Sequence, residues 1–528
     1  MAAKKTALSD TTYRLAAVID VGSTSIRMVI AQIFEDGRFE MLDSLSQSVA
    51  IGSDTFTRGR ISRTTTEECV KVLCNFSSVL AEYQIDPEKA VRAVATSAVR
   101  EARNRDEFLD RVYMASGINV KVIEGSEVNR LTFLAIQPVL EANPMLRSDQ
   151  LVGVEVGGGS TELLGLEKGR VSFAHTYRLG AYRLSEAMEA RAGSAGHRHE
   201  VLDMEVRAGV RQCRETIEAF AGKTDLLLMG SEARLAARLS DEEWDETTVV
   251  SLKVRALETL AAEVLGLDAE QVVKRYHLTL EEAQTLGPAL LVYVRLAGAF
   301  GLKKIYVCGV TLRDGLLAEA ASGNAWTEDF VEQVLSSVHE IGRKYHFDEA
   351  HAECVMENAL ALFHAMRDEH RLGTRYEMIL RVAGLLHDIG TFISTSSHHK
   401  HSRYLMQNSE IFGLSDRSIQ MAALVARYHR RATPKPSHLD YANLTREERL
   451  AVNKLAAMLR VADALDRSHT QALHRIHVRL KPGQVLVEPS RTGEFAIEKR
   501  ALTGKGKMFE QVYGRTVVLR TRRKRGSQ

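Results

Sequence analysis

The chain has 528 residues, room for three or four domains that each bury a core, and its 45% hydrophobic and 26% charged residues are ordinary soluble values. A net charge of +2 gives no field that marks a nucleic-acid binder, and no apolar run approaches the roughly 18 residues of a membrane span. The five cysteines form no CxxC pair and the N-terminus carries no apolar secretory region, so the expected compartment is a reducing cytoplasm without disulfides or zinc knuckles.

In chain order, residues 14–33 read as strand, turn, strand: LAAVID, VGSTS, then IRMVIAQI. A helix is expected from about Thr64, where TTTEECVKVLCNFSSVLAEY places apolar residues at helical spacing behind a Thr/Glu start. VRAVATSAVR reads as a strand running into a helix, and NVKVIEGSEVNRLTFLAI repeats the pattern. At 151 the strand-turn-strand returns as LVGVEVGGGSTELLGLEKG, about 135 residues after the first, which predicts an internal duplication of one α/β unit. KKIYVCGVTLRDGLLAEA closes the second half. Long amphipathic helices follow from about 323 to 470, and strand alternation resumes with IHVRLKPGQVLVEP. The expected domains are therefore 1–135, 136–322, 323–470 and 471–528.

The turn Asp20-Val21-Gly22-Ser23-Thr24-Ser25 joins a carboxylate to small residues. Glycine lets successive backbone N–H groups converge on an anion, and the hydroxyls add donors. Glu155-Val156-Gly157-Gly158-Gly159-Ser160-Thr161 has the same chemistry with more glycine. One such turn is as readily an ordinary hairpin. Two in a duplicated unit can act as two jaws on neighbouring phosphates.

These residues carry a family resemblance. IDVGSTSIRMVI and VGVEVGGGSTELL are similar to the two phosphate motifs of the Ppx/GppA branch of the actin-like superfamily. ATSAVREA resembles its Thr/Ala/Arg segment, VIEGSEVNRL falls on its Ser-Gly-x-Glu-Glu-Ala-Arg segment, and VTLRDGLLAEA matches its closing motif. HHKHSRYLMQNS and VARYHRR resemble the C-terminal region of long exopolyphosphatases. The resemblance implies an α/β fold of duplicated actin-like, ribonuclease-H-like domains, followed by an all-α HD-type domain and a small C-terminal α/β or β-rich cap. It implies release of terminal phosphate from inorganic polyphosphate or from the guanosine polyphosphate pppGpp, with a divalent cation, Mg2+, at the cleft. Asp20, Gly22, Ser23, Thr24, Arg100, Gly157, Gly158, Gly159, Ser160 and Thr161 would hold phosphate. Long relatives imply a homodimer, with no membrane or specific nucleic acid among its partners.

The sequence also departs from that pattern. Aligning Gly125 and Arg130 puts Glu127 on the first glutamate of the family's pair and Val128 on the second, the one assigned to water. Valine accepts no proton, and adjacent helical residues point about 100° apart. Glu155 stands where the family carries Asp, so its carboxylate is displaced by more than about 1 Å. Glu127 and Glu155 are then the carboxylates left for catalysis. In LLLMGSEARLAARL, Glu232 and Arg234 replace small residues of a Gly/Thr-rich turn and would crowd a polyanion path.

His351, His387-Asp388 and Asp463 each sit in a helical pattern, in the His…His-Asp…Asp order of HD-domain phosphohydrolases, which LLHDIG and LRVADALDRS also resemble. The resemblance implies a divalent metal there, Mg2+, Mn2+ or another transition metal. A lone helical histidine is more often core or surface. His398, His399, His401 and His429 answer to a second metal, to polyphosphate binding or to packing. Arg427, Arg430 and Arg431 form an anion channel or a solvated face, and the basic run 520–525 a polyanion handle or a solvated end. Three functional expectations result: a phosphohydrolase in the actin-like cleft, a metal-dependent HD hydrolase with the actin-like half as sensor, or a polyphosphate- or alarmone-binding regulator with weak or no turnover.

Overall fold

The computed structural model describes residues 12–520, apart from 147, 190–194, 218–223, 242, 324–325, 431 and 491–492, and apart from the side chains of 195–198 and 215–217. The chain divides into two compact units, Met1–Ala325 and Trp326–Gln528. The basic run beyond 520 and Arg431 lie outside the described residues. Among those described, no helix is long and apolar enough to cross a membrane. All five cysteines are free.

The first unit is built on two sheets. β1 (Tyr13–Val21), β2 (Ser25–Phe34), β3 (Phe39–Ser48), β4 (Val91–Ala95) and β5 (Val120–Val122) stand in the order β3-β2-β1-β4-β5. β6 (Gln150–Val156), β7 (Thr161–Glu167), β8 (Arg170–Tyr177), β9 (Thr224–Met229), β10 (Val250–Lys253) and β11 (Lys304–Val307) form the second sheet, ordered β10-β11-β9-β6-β7-β8. Each sheet opens with an antiparallel meander whose first strand then pairs in parallel with a later one, β1 with β4 and β6 with β9. The expected duplication is thus visible as topology.

The run Ala16, Ala17, Val18, Ile19 and Val21 is buried throughout, as a strand covered on both faces requires. One face packs Ile19, Met28 and Ile30 against Leu73 and Phe76 of the helix Arg63–Glu82. That helix starts at Arg63, capped by Ser62, whose hydroxyl accepts the Thr65 N–H at 3.2 Å. The other face packs Val18, Val29 and Val94 against Leu131 of the helix Gly125–Ala142 and Leu312, Leu316 and Leu317 of the helix Leu312–Ser322. The boundary expected near 136 falls inside the helix Gly125–Ala142. The closing helix returns to the first sheet.

In the second unit, the helices Glu349–Ala365, Thr374–Leu386, His398–Gln407, Asp416–Arg427 and Arg446–Leu465 pack around buried Leu362, Leu380, Leu386, Leu424, Leu455 and Leu459. A reciprocal Thr445–Glu448 capping box starts the last of these. The C-terminal strands β12 (His477–Lys481), β13 (Gln484–Glu488) and β14 (Thr516–Leu519) make a small sheet. Its helix, Ala496–Tyr513, lies along Arg446–Leu465.

Candidate functional site

Both glycine turns close the same way. Gly22 N–H donates to Ser25 O at 3.0 Å, and Gly157 N–H donates to Ser160 O at 2.8 Å. Each turn sits at the carboxyl end of a strand that begins a parallel pair, the end at which open α/β sheets bind ligands. The two turns meet: a Cβ on Gly158 would lie 2.9 Å from that of Ser23, so only glycine permits this approach. Between them lies a cavity of about 110 Å3.

Asp20, Gly22, Ser23, Thr24, Arg100, Gly157, Gly158, Ser160 and Glu155 all line this cavity, as the sequence suggests. Gly159 and Thr161 support it from outside. A side chain on Gly159 would collide with Ser97, and fully buried Thr161 donates its hydroxyl to Leu179 O at 2.5 Å. Arg183 braces the second turn, donating to Gly159 O at 3.0 Å while stacked on Phe56. Arg100 is anchored by donating to Ile123 O at 2.8 Å. Val128 faces the cavity, whereas Glu127 is drawn into ion pairs with Arg92 at 2.9 Å and Arg130 at 3.9 Å.

Hairpin register explains the electrostatics. Asp20 is paired across the strands with Arg27, but Glu155 is paired with Glu162. Like charges directly opposite repel. Burial, then Glu162 and Asp20, push the Glu155 carboxyl up to about 8, against one hydrogen bond from the Thr132 hydroxyl at 3.3 Å. Burial also raises Asp20, although Arg313, 3.7 Å away, and Arg27 hold it down. Glu162, which accepts the Ser160 hydroxyl at 2.7 Å, escaped the sequence reading, as did Arg27 and Arg313. Counting residues across each hairpin from Asp20 and Glu155 identifies the first two. The oxygen donors Asp20, Glu155 and Glu162, with Asp20 Oδ1 buried and unbonded, suit a hard divalent cation held by few carboxylates plus phosphate.

The second unit gathers the predicted metal residues. The ligand atoms of His351, His387 and Asp388 lie within 4.8 Å of one another, as do those of Asp388, His398 and His429. Asp463 approaches from Arg446–Leu465, 4.0 Å from His351 Nε2, and is also paired with Lys505. Each central ring is tethered by Nδ1: His351 to Asp466 at 2.8 Å, His387 to Gly384 O at 2.7 Å, His429 to Ala426 O at 2.5 Å. Nε2 of His351 and of His387 is buried without a hydrogen-bond partner. Anchored Nδ1 and free Nε2 is the arrangement of imidazole metal ligands. Burial pushes His387 down to about 4, keeping it in the neutral, ligating form. Burial pushes the Asp388 carboxyl up, but His387, His398 and His429 hold it well below the usual range. His399 and His401 belong to neither group of ligand atoms.

Comparison with known proteins places this geometry. The model of the Ppx/GppA phosphatase family matches residues 29–323, and that of "Ppx/GppA phosphatase, domain III" matches residues 335–488. A guanosine-5'-triphosphate,3'-diphosphate pyrophosphatase of Photobacterium profundum is 26% identical over 457 residues, 83% of this chain and 86% of that protein. The crystal structure of an exopolyphosphatase from Cytophaga hutchinsonii superposes with a TM-score of 0.53 at 19% identity, covering 59% of this chain and 98% of that one. A family member from Aquifex aeolicus gives a TM-score of 0.48 at 22% identity over 59% of this chain and 99% of its own.

Proposed function

This chain belongs to the Ppx/GppA phosphatase family, and from that premise we propose that its actin-like cleft releases terminal phosphate from inorganic polyphosphate or pppGpp. The observation that carries the reading is the contact of Gly158 with Ser23, which sets two N–H-rich turns face to face over a carboxylate-lined cavity. Backbone amides of the turns, the Ser23, Thr24 and Ser160 hydroxyls and Arg100 bind and orient the terminal phosphates. Asp20, Glu155 and Glu162 would hold a divalent cation such as Mg2+, which would supply charge neutralisation for the phosphoryl group. Arg313 and Arg27 steady Asp20. The test is phosphate release from both substrates with Mg2+: steady turnover is expected, and tight binding without turnover would make the protein a regulator instead. The cytoplasmic location and the homodimer belong to the same reading, and light scattering tests the dimer.

A second reading is favoured by the unpartnered Nε2 atoms of His351 and His387. On it, His351, His387, Asp388 and Asp463 hold a divalent metal, and the helical unit is a metal-dependent phosphohydrolase centre in its own right. Metal analysis of purified protein should find about one transition-metal ion per chain, lost in His387→Ala/Asp388→Ala. Phosphate release lost only in that variant would move the chemistry to the helical unit.

A further inference from the structure

We propose that Glu232 accepts the proton of the attacking water in the cleft, supplying the carboxylate that Val128 does not. The inference rests on the cleft reading. Hydrolysis of an anhydride needs a group that orients water and takes its proton, and apolar Val128 can do neither. Glu127, its neighbour, is occupied by Arg92 and Arg130.

Among the described residues, four carboxylates line the cavity: Asp20, Glu155, Glu162 and Glu232. Three are engaged. Asp20 faces Arg313 and Arg27, Glu162 accepts the Ser160 hydroxyl, and Glu155 accepts that of Thr132. These three also make up the oxygen set suited to the cation. Among the described residues, no side-chain hydrogen bond reaches the Glu232 carboxylate; Arg27 and Arg234 are its opposite charges. Its own backbone N–H donates to it, and the remaining carboxylate lone pairs are open to water.

The local fold fixes where Glu232 points. It lies in the first turn of the helix Ser231–Ser240, where the helix dipole favours a negative charge. That helix leaves β9, the strand beside β6 and hence beside Glu155, which packs against Gly230. Arg27, from β2 of the first sheet, donates to Ser231 Oγ at 2.7 Å and so ties the start of the helix across the cavity. The residue that sequence alone casts as an obstruction therefore sits on the cavity wall as a carboxylate without a side-chain hydrogen bond among the described residues.

The step balances without another reactant. The water oxygen bonds to the terminal phosphorus as the bridging P–O bond breaks. The shortened chain or nucleotide leaves on that bridging oxygen as a phosphate anion. The water proton passes to Glu232 and then to solvent.

Glu232→Gln keeps shape and removes basicity. Its kcat should fall at least about 100-fold while KM stays within about threefold. An obstruction would do the reverse, with unchanged kcat and lower KM on removal of the charge, and a purely structural counter-ion would leave kcat unchanged in a folded variant. Either result overturns the proposal. If Glu232→Gln does not fold, Glu232→Asp decides: a displaced carboxylate should lower kcat at least tenfold, and parental kcat overturns the assignment. Parent protein without turnover sinks this inference together with the cleft reading, whereas an active parent with an active Glu232→Gln sinks this inference alone.

Discussion

The cleft of the first unit and the histidine cluster of the second solve opposite electrostatic problems. In the cleft, acidic groups face one another across a hairpin, and burial drives the Glu155 carboxyl up. In the cluster, imidazoles surround one carboxylate and hold it down. The cleft uses backbone and small side chains, so its shape depends on how closely two turns approach. The cluster uses tethered rings, so its shape depends on what holds each Nδ1. One is a gap and the other a set of ligands, and a substitution should damage each in its own way.

The largest expected effect is on the gap. Gly158→Val should drive its side chain into Ser23, lowering phosphate release at least about 100-fold at a cost of about 1–3 kcal/mol in stability. Bound metal per chain should be unchanged by mass spectrometry; loss of metal would break the separation of the two regions. Next in size is Asp466→Asn, which weakens the tether of His351 and should reduce metal affinity about 10–100-fold by titration, with cleft turnover within twofold.

The smallest effect is a pH dependence. The Glu155 carboxyl is raised from 4.5 to about 8 on folding, so the folded chain holds a proton there that the unfolded chain has released. Its contribution is fully present below 4.5 and is lost as pH rises to about 8. In chelator-containing buffer, Glu155→Gln should therefore melt a few degrees above the parent at pH 8.5, with the difference shrinking toward pH 5. A difference that grows as pH falls would show that burial and Glu162 do not raise the Glu155 carboxyl as described.

The motif-bearing turns were legible because a hairpin is local: Gly22 and Gly157 each close on a residue three positions ahead. His387-Asp388 and Asp463 stood out because they lie in the short recognisable segments LLHDIG and LRVADALDRS. What each neighbour does was harder. Glu127 and Val128 differ only in helical phase, and nothing local announces that Arg92 and Arg130 claim the first. Glu162 and Arg27 needed the cross-strand register as well as the motif. Asp466 meets His351 across 115 residues of sequence, and Lys505 meets Asp463 across 42, contacts that only the packed helices create. The division expected near 136 falls within one helix, Gly125–Ala142.

The return of the closing helix to the first sheet has a consequence for synthesis. The second face of the first sheet is completed by Leu312, Leu316 and Leu317, almost 300 residues after β1 begins. A nascent chain that has exposed both meanders covers Val18, Val29 and Val94 only in part, with Ile123, Val128 and Leu131, until the closing helix clears the ribosome. The first half therefore cannot finish folding ahead of the second, and the two actin-like halves mature together.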